Sequence, residues 1–77
     1  MKLVQILGTG CAKCDKLKQN AEEAVQNSGS DAKVEKVTDI MEITSFGVMM
    51  TPAIAIDGEV KSVGKVLSAE DIQKLLA

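Results

Sequence analysis

The stretch Leu3-Val4-Gln5-Ile6-Leu7-Gly8-Thr9-Gly10-Cys11-Ala12-Lys13-Cys14 decides how this chain is read. Leu3 to Leu7 is apolar on both faces of a strand apart from Gln5, the pattern of a central strand covered from two sides. From about Ala12 the apolar residues switch to helical spacing. Cys14, Leu17, Ala21, Ala24 and Val25 recur at three- and four-residue steps and make one buried stripe, with Lys13, Lys16, Lys18, Glu22 and Glu23 on the other face. The two cysteines, the only ones in the chain, therefore fall at a strand-to-helix junction. A helix N-terminus presents unpaired N–H groups and a partial positive charge, and both favour a thiolate over a thiol. Cys11, at the helix start, can then attack, while Cys14, one turn along, can close a disulfide. This is the pattern of a redox dithiol.

Outward from that junction, the first helix is expected to run to about Gln26, stopped by Asn27-Ser28-Gly29. Ala32 to Val37 carries branched residues between charges and reads as a half-exposed edge strand. Asp39 with Glu42 resembles a capping box that opens a short helix through Ile40, Ile43 and Phe46 to Gly47. Pro52 starts the next strand, Ala53-Ile54-Ala55-Ile56, again apolar on both faces. Asp57-Gly58 signals a type I′ turn, so Glu59 to Val63 returns antiparallel. Ser68 with Asp71 caps a last helix carrying Ile72, Leu75 and Leu76. The expected fold is α/β in the order βαβαββα, a four-stranded mixed sheet flanked by helices. The two doubly apolar strands belong at its centre, the Ala32 and Val60 strands at its edges, and the first crossover is right-handed.

The chain has 77 residues, which allows one domain, 1–77, of modest stability. The cysteine pair closes too short a loop to staple it. With 45% apolar and 26% charged residues the chain is an ordinary globule, and a net charge of −2 spread over both signs offers no basic stripe for nucleic acid or an anionic membrane. Phe46, the single aromatic, cannot make a stacking platform for bases. No stretch is long enough to span a membrane. The start, Met1-Lys2 and then a short run interrupted by Gln5, is a strand and not a secretion signal. A cytoplasmic setting is therefore expected, where a CxxC is catalytic or metal-binding more often than structural. With no histidine and two cysteines, one chain cannot build a closed four-ligand zinc site.

CxxC between the first strand and helix, together with Thr51-Pro52 at the entry to a buried strand, resembles the thioredoxin fold in its shortened, glutaredoxin-sized form. More closely, Gly-Thr-Gly-Cys-Ala-Lys-Cys and Thr-Pro-Ala-Ile-Ala-Ile-Asp-Gly are similar to the small redox-active disulfide proteins of archaea and anaerobic bacteria, over essentially the whole chain. The resemblance implies a thiol–disulfide oxidoreductase that reduces protein disulfides, with Cys11 attacking, Cys14 resolving and Pro52 as a cis-proline lying against the disulfide. Thr51 would offer its backbone to an extended substrate, and the proline ring would deny metals close approach. Gly10 stands where thioredoxins proper carry an aromatic, and Ala12-Lys13 where they carry Gly-Pro. Val63-Gly64-Lys65-Val66 lacks the acidic pair of glutathione-using glutaredoxins. The implied partners are thus protein disulfides and a thioredoxin-reductase-like electron donor, with no cofactor or metal held and a monomer expected.

Several residues carry two readings. Lys13 adds positive potential near Cys11, or is a solvated surface residue. Gly8, Thr9 and Gly10 give a substrate room to approach, or make a plain turn needing φ > 0, the reading preferred here. Met49 and Met50 form an adaptable partner surface, or belong to the core, again the preferred reading. The rival function is a soft-metal (Cu or Hg) binding and transfer module, which also places CxxC between its first strand and helix. That module requires a hairpin strand directly after the second strand and a strand at its end.

Overall fold

The structure is a computed structural model that describes residues 2–9, 12–29 and 31–76. Its sheet is organised by β1 (Lys2–Leu7), whose alternating side chains send Val4 and Ile6 to one face and Leu7 to the other. β2 (Ala32–Val37) runs parallel along one flank of β1, β3 (Ala53–Ile56) antiparallel along the other, and β4 (Glu59–Val63) antiparallel beyond β3. The order β2-β1-β3-β4 puts the two doubly apolar strands at the centre and the two alternating ones at the edges. Both central strands need cover on two sides, and both receive it.

On one face, Val4 lies opposite Ile56 and Ile6 opposite Ile54. This face is covered by α1 (Ala12–Ser28) and α3 (Ala69–Leu76), whose Leu17, Ala21, Ala24, Ile72 and Leu76 complete the main core. The other face carries a smaller core in which Leu7, Val37 and Ala53 pack with Val48 and with Ile43 from α2 (Ile40–Ser45). Each fully buried Leu, Ile or Val side chain contributes about 1.5–3 kcal/mol by leaving water.

The ends of the elements follow local chemistry. α1 runs two residues past the expected stop, to Ser28, and Gly29 then takes the left-handed conformation at φ 64°. Asp39 caps α2, its carboxylate accepting from the Met41 N–H at 2.8 Å, one residue earlier than in a capping box. Asp57 and Gly58 both have positive φ (54° and 83°), as a type I′ turn requires. Ser68 Oγ accepts from the Asp71 N–H at 3.1 Å to open α3.

Two features correct the sequence reading. α2 ends at Ser45, with Phe46 as its cap, short of the expected Gly47, and Ile40 at its start is 66% exposed. In so short a helix only the single turn resting on the sheet is covered, which buries Ile43 and half-buries Phe46. Pro52 lies just before β3 and is not its first residue. Two further features were not foreseen. Ala55 pairs with Val60 and Ile54 with Ser62, which leaves Lys61 as an extra residue in a β-bulge. Asn20 Nδ2, on α1, donates to the Leu67 carbonyl at 2.8 Å and clips that helix to the segment leading into α3. After β2 the chain enters α2 and its last described element is α3, so the hairpin strand and terminal strand of a soft-metal module are not found there.

Candidate active site at the end of the central strand

One row of paired residues closes the sheet at the C-terminal end of β1: Val37 beside Leu7, Leu7 opposite Ala53, Ala53 opposite Val63. The chain leaves this row through Gly8, whose N–H donates to the Val37 carbonyl at 3.0 Å and extends the ladder by one residue. Gly10 and Cys11 lie outside the described residues. α1 begins at Ala12, so Cys14 falls in its first turn, at the head of the stripe continued by Leu17 and Ala21. Cys14 is 0% exposed. Helical spacing aims it at the sheet, and the core closes over it.

Thr51 and Pro52 reach the same end from the other side of β1. Pro52 is fully buried, Thr51 is exposed, and the bond between them is cis. The Pro52 carbonyl accepts from the Gly64 N–H at 2.7 Å, which holds the entry of β3 to the exit of β4. Gly8 is where the two halves of the site meet. A Cβ built on it would overlap Cys14 Sγ, stand 3.1 Å from Cys14 Cβ and 3.9 Å from Thr51 Cβ. The fold thus brings together Cys14 and Thr51, which the sequence leaves far apart.

Gly8 is buried, and its φ is not positive. The turn reading is therefore wrong for Gly8: this position needs room and not a left-handed backbone. Thr9 is exposed. Lys13 is exposed on the solvent side of α1, where a cation of its kind is well solvated. One contact had no sequence signal. Lys36 Nζ, from the residue before the end of β2, lies 2.9 Å from Asp15 Oδ1 in the first turn of α1. Such partly exposed pairs contribute at most about 1 kcal/mol, but this one ties the helix carrying Cys14 to the sheet edge. The Glu59 carboxyl is held below its ordinary range by the Lys61 hydrogen bond and charge. It pairs with Ile56 at the opposite end of the sheet and has no part in the site. Among the described residues, no group of three or more His, Cys, Asp or Glu is placed to hold a metal ion.

The large apolar side chains that remain exposed collect at the Cys14 end. Met49 (95% exposed), Met50 and then Thr51 lead into β3; Ile40 and Met41 (79%) open α2 just past Val37; Val63 and Val66 leave β4. The expectation that Met49 and Met50 are core is overturned. Gly47, at φ 81°, turns the chain so that Val48 enters the core and the two methionines point out. Met50 lies over Gly64, where an added Cβ would come 3.3 Å from Met50 Cε.

A four-stranded mixed sheet with Cys14 in the first turn of its first helix, beside a proline-entered central strand, is the arrangement expected of small thiol–disulfide exchange proteins. Comparison with known proteins narrows this. The family model for the thioredoxin domain matches residues 2–77. A thioredoxin of Methanothermobacter thermautotrophicus is 46% identical over 77 residues, covering all of both chains. A thioredoxin of Methanocaldococcus jannaschii is 41% identical over 76 residues, covering 99% of this chain and 87% of the relative. The chain belongs to the thioredoxin-domain family and is a thiol–disulfide oxidoreductase. No helix among the described residues is long and apolar enough to cross a membrane.

Proposed function

We propose that this chain, working as one domain, reduces disulfides of partner proteins in two steps carried by Cys11 and Cys14. The Cys11 thiolate attacks one sulfur of the substrate disulfide; that bond breaks, and the departing thiolate takes a proton. Cys14 then gives up its proton and attacks Cys11 in the mixed disulfide. The Cys11–substrate bond breaks and the second substrate thiolate leaves and is protonated. Two electrons have passed from the dithiol to the substrate, and a reductase of the thioredoxin-reductase kind returns them. The reading includes a reducing cytoplasm, where such a dithiol is kept ready.

The observation that carries this assignment of roles is the complete burial of Cys14 in the first turn of α1. A sulfur covered on all sides cannot meet an external disulfide, but it can meet a neighbour on its own loop. Position 11 precedes the first residue of the helix, where a thiolate gains most from the helix N-terminus. Lys13, Gly10, Thr51 and Pro52 complete the proposed site. The exposed Met41, Met49 and Met50 support a protein substrate, because unbranched, polarizable side chains adapt to varied apolar partners. The soft-metal reading is not favoured, since α2 stands where it needs a hairpin strand.

The test is turnover. Reduced protein, with a reductant that regenerates it, is offered a disulfide-bonded protein, and thiol release is followed for wild type and for Cys11→Ser. Release by wild type and none by the variant is expected. Failure to reduce any protein disulfide, together with tight Cu(I) binding by the wild type, would hand the dithiol to metal transfer.

A further inference from the structure

Glycine loses more conformational freedom on folding than any other residue, so a buried glycine without a positive φ asks for a steric reason. Gly8 has no positive φ, is buried, and carries on the side where a Cβ would project the sulfur of Cys14. We propose that Gly8 is the positioning residue for the resolving sulfur: the volume its missing side chain leaves is the seat of Cys14 Sγ. The proposal rests on the reading of Cys11 and Cys14 as an exchanging dithiol.

The seat has three fixed walls. The Gly8 backbone cannot retreat, because its N–H donates to the Val37 carbonyl and prolongs the β1–β2 ladder. Cys14 cannot retreat either, because its helix is anchored by Leu17 and Ala21 in the main core and by the Asp15–Lys36 pair. Thr51 closes the third side, its Cβ 3.9 Å from the point where a Gly8 Cβ would sit. A side chain at position 8 therefore forces the sulfur to another χ1 rotamer or lifts the first turn of α1. Either movement re-aims the Cys14 sulfur. Exchange between sulfurs needs the attacking atom close and in line with the bond it breaks, and a displacement of about 1 Å is enough to cost orders of magnitude in rate. Gly8 thus acts on the second step through Cys14 and does not itself touch the reacting bond.

An aromatic disulfide that releases a coloured thiolate separates the two steps. The first equivalent appears when Cys11 attacks, at a rate that rises with probe concentration. The second appears when Cys14 resolves the mixed disulfide, at a rate that does not. In Gly8→Ala the resolution rate is expected to fall about tenfold or more, and by a larger factor than the attack rate. The midpoint of the dithiol in a thiol–disulfide redox buffer should shift with it, which packing damage elsewhere in the fold would not produce. Resolution within about twofold of wild type in the folded variant overturns the proposal. A stability cycle decides the case even where Gly8→Ala folds poorly. The loss of Tm from Gly8→Ala should shrink when Cys14 is already alanine, because the sulfur that collides is gone. An equal loss in both backgrounds means that no sulfur is seated there and overturns the proposal. A wild type that releases one equivalent only would overturn the dithiol reading instead, and the stability cycle would still judge the seat.

Discussion

Asp57 and Leu3 are joined twice: the Asp57 N–H donates to the Leu3 carbonyl at 2.8 Å, and the Leu3 N–H donates to Asp57 Oδ1 at 2.9 Å. The β3–β4 turn is thereby bonded to the start of β1, at the end of the sheet away from Cys14. Asp57 also holds φ at 54°, which Asp and Asn tolerate better than other side chains. Asp57→Ala should lower stability by about 2 kcal/mol, through the lost acceptor and the strained backbone. Asp57→Asn, which keeps an oxygen acceptor and the turn, should lose much less. Urea unfolding of the two variants makes the comparison, with thiol release expected to stay at the wild-type rate in both. Equal losses would show that the side-chain bond contributes nothing.

On the proposed roles, the burial of Cys14 should make the two cysteines unequal in trapping. Cys14→Ser should leave attack intact and remove resolution, so mixed disulfides with substrate proteins accumulate. Cys11→Ser should trap none, because its remaining thiol is covered. Capture by each variant, followed by mass mapping of the joined peptides, reads this directly. Equal capture of the same partners by both variants would contradict the two-step assignment.

Met49 and Met41 are too exposed to support the fold, so replacing them separates docking from stability. Met49→Glu and Met41→Glu should each change stability by no more than about 0.5 kcal/mol. Reduction of a protein disulfide should slow, since a charge now stands where an apolar partner must be desolvated, while reduction of a small-molecule disulfide is little altered. Unchanged rates on both substrates would remove these methionines from the docking surface.

Asn20 joins α1 to the segment before α3 through a partly buried hydrogen bond. Asn20→Ala leaves the Leu67 carbonyl without this donor and should cost about 1–2 kcal/mol. Asn27→Ala, at the exposed end of the same helix, serves as the control and should cost little. Hydrogen exchange should report faster opening of α3 in the first variant, and similar α3 protection in both variants would show that the clip is not needed.

Much of this protein was legible residue by residue. The doubly apolar runs of β1 and β3, the alternation of β2 and β4, the helical stripe from Cys14 to Val25, the Asp57-Gly58 turn and the Ser68 cap all appear where their local chemistry requires. Each depends on neighbours within a few positions, through a backbone geometry that repeats. The spacing of the cysteines against the strand–helix junction likewise pointed to the thiol–disulfide oxidoreductase class to which the chain belongs. Tertiary structure decided the rest, because proximity between distant segments has no local signature. It exposed Ile40, Met49 and Met50, which their apolar character alone would have buried. It placed Asn20 under Leu67 and Lys36 beside Asp15. At Gly8 it replaced a conformational reason with a steric one: the sequence shows a glycine before a helix, and only the packing of α1 on β1 puts a cysteine sulfur where its side chain would have been.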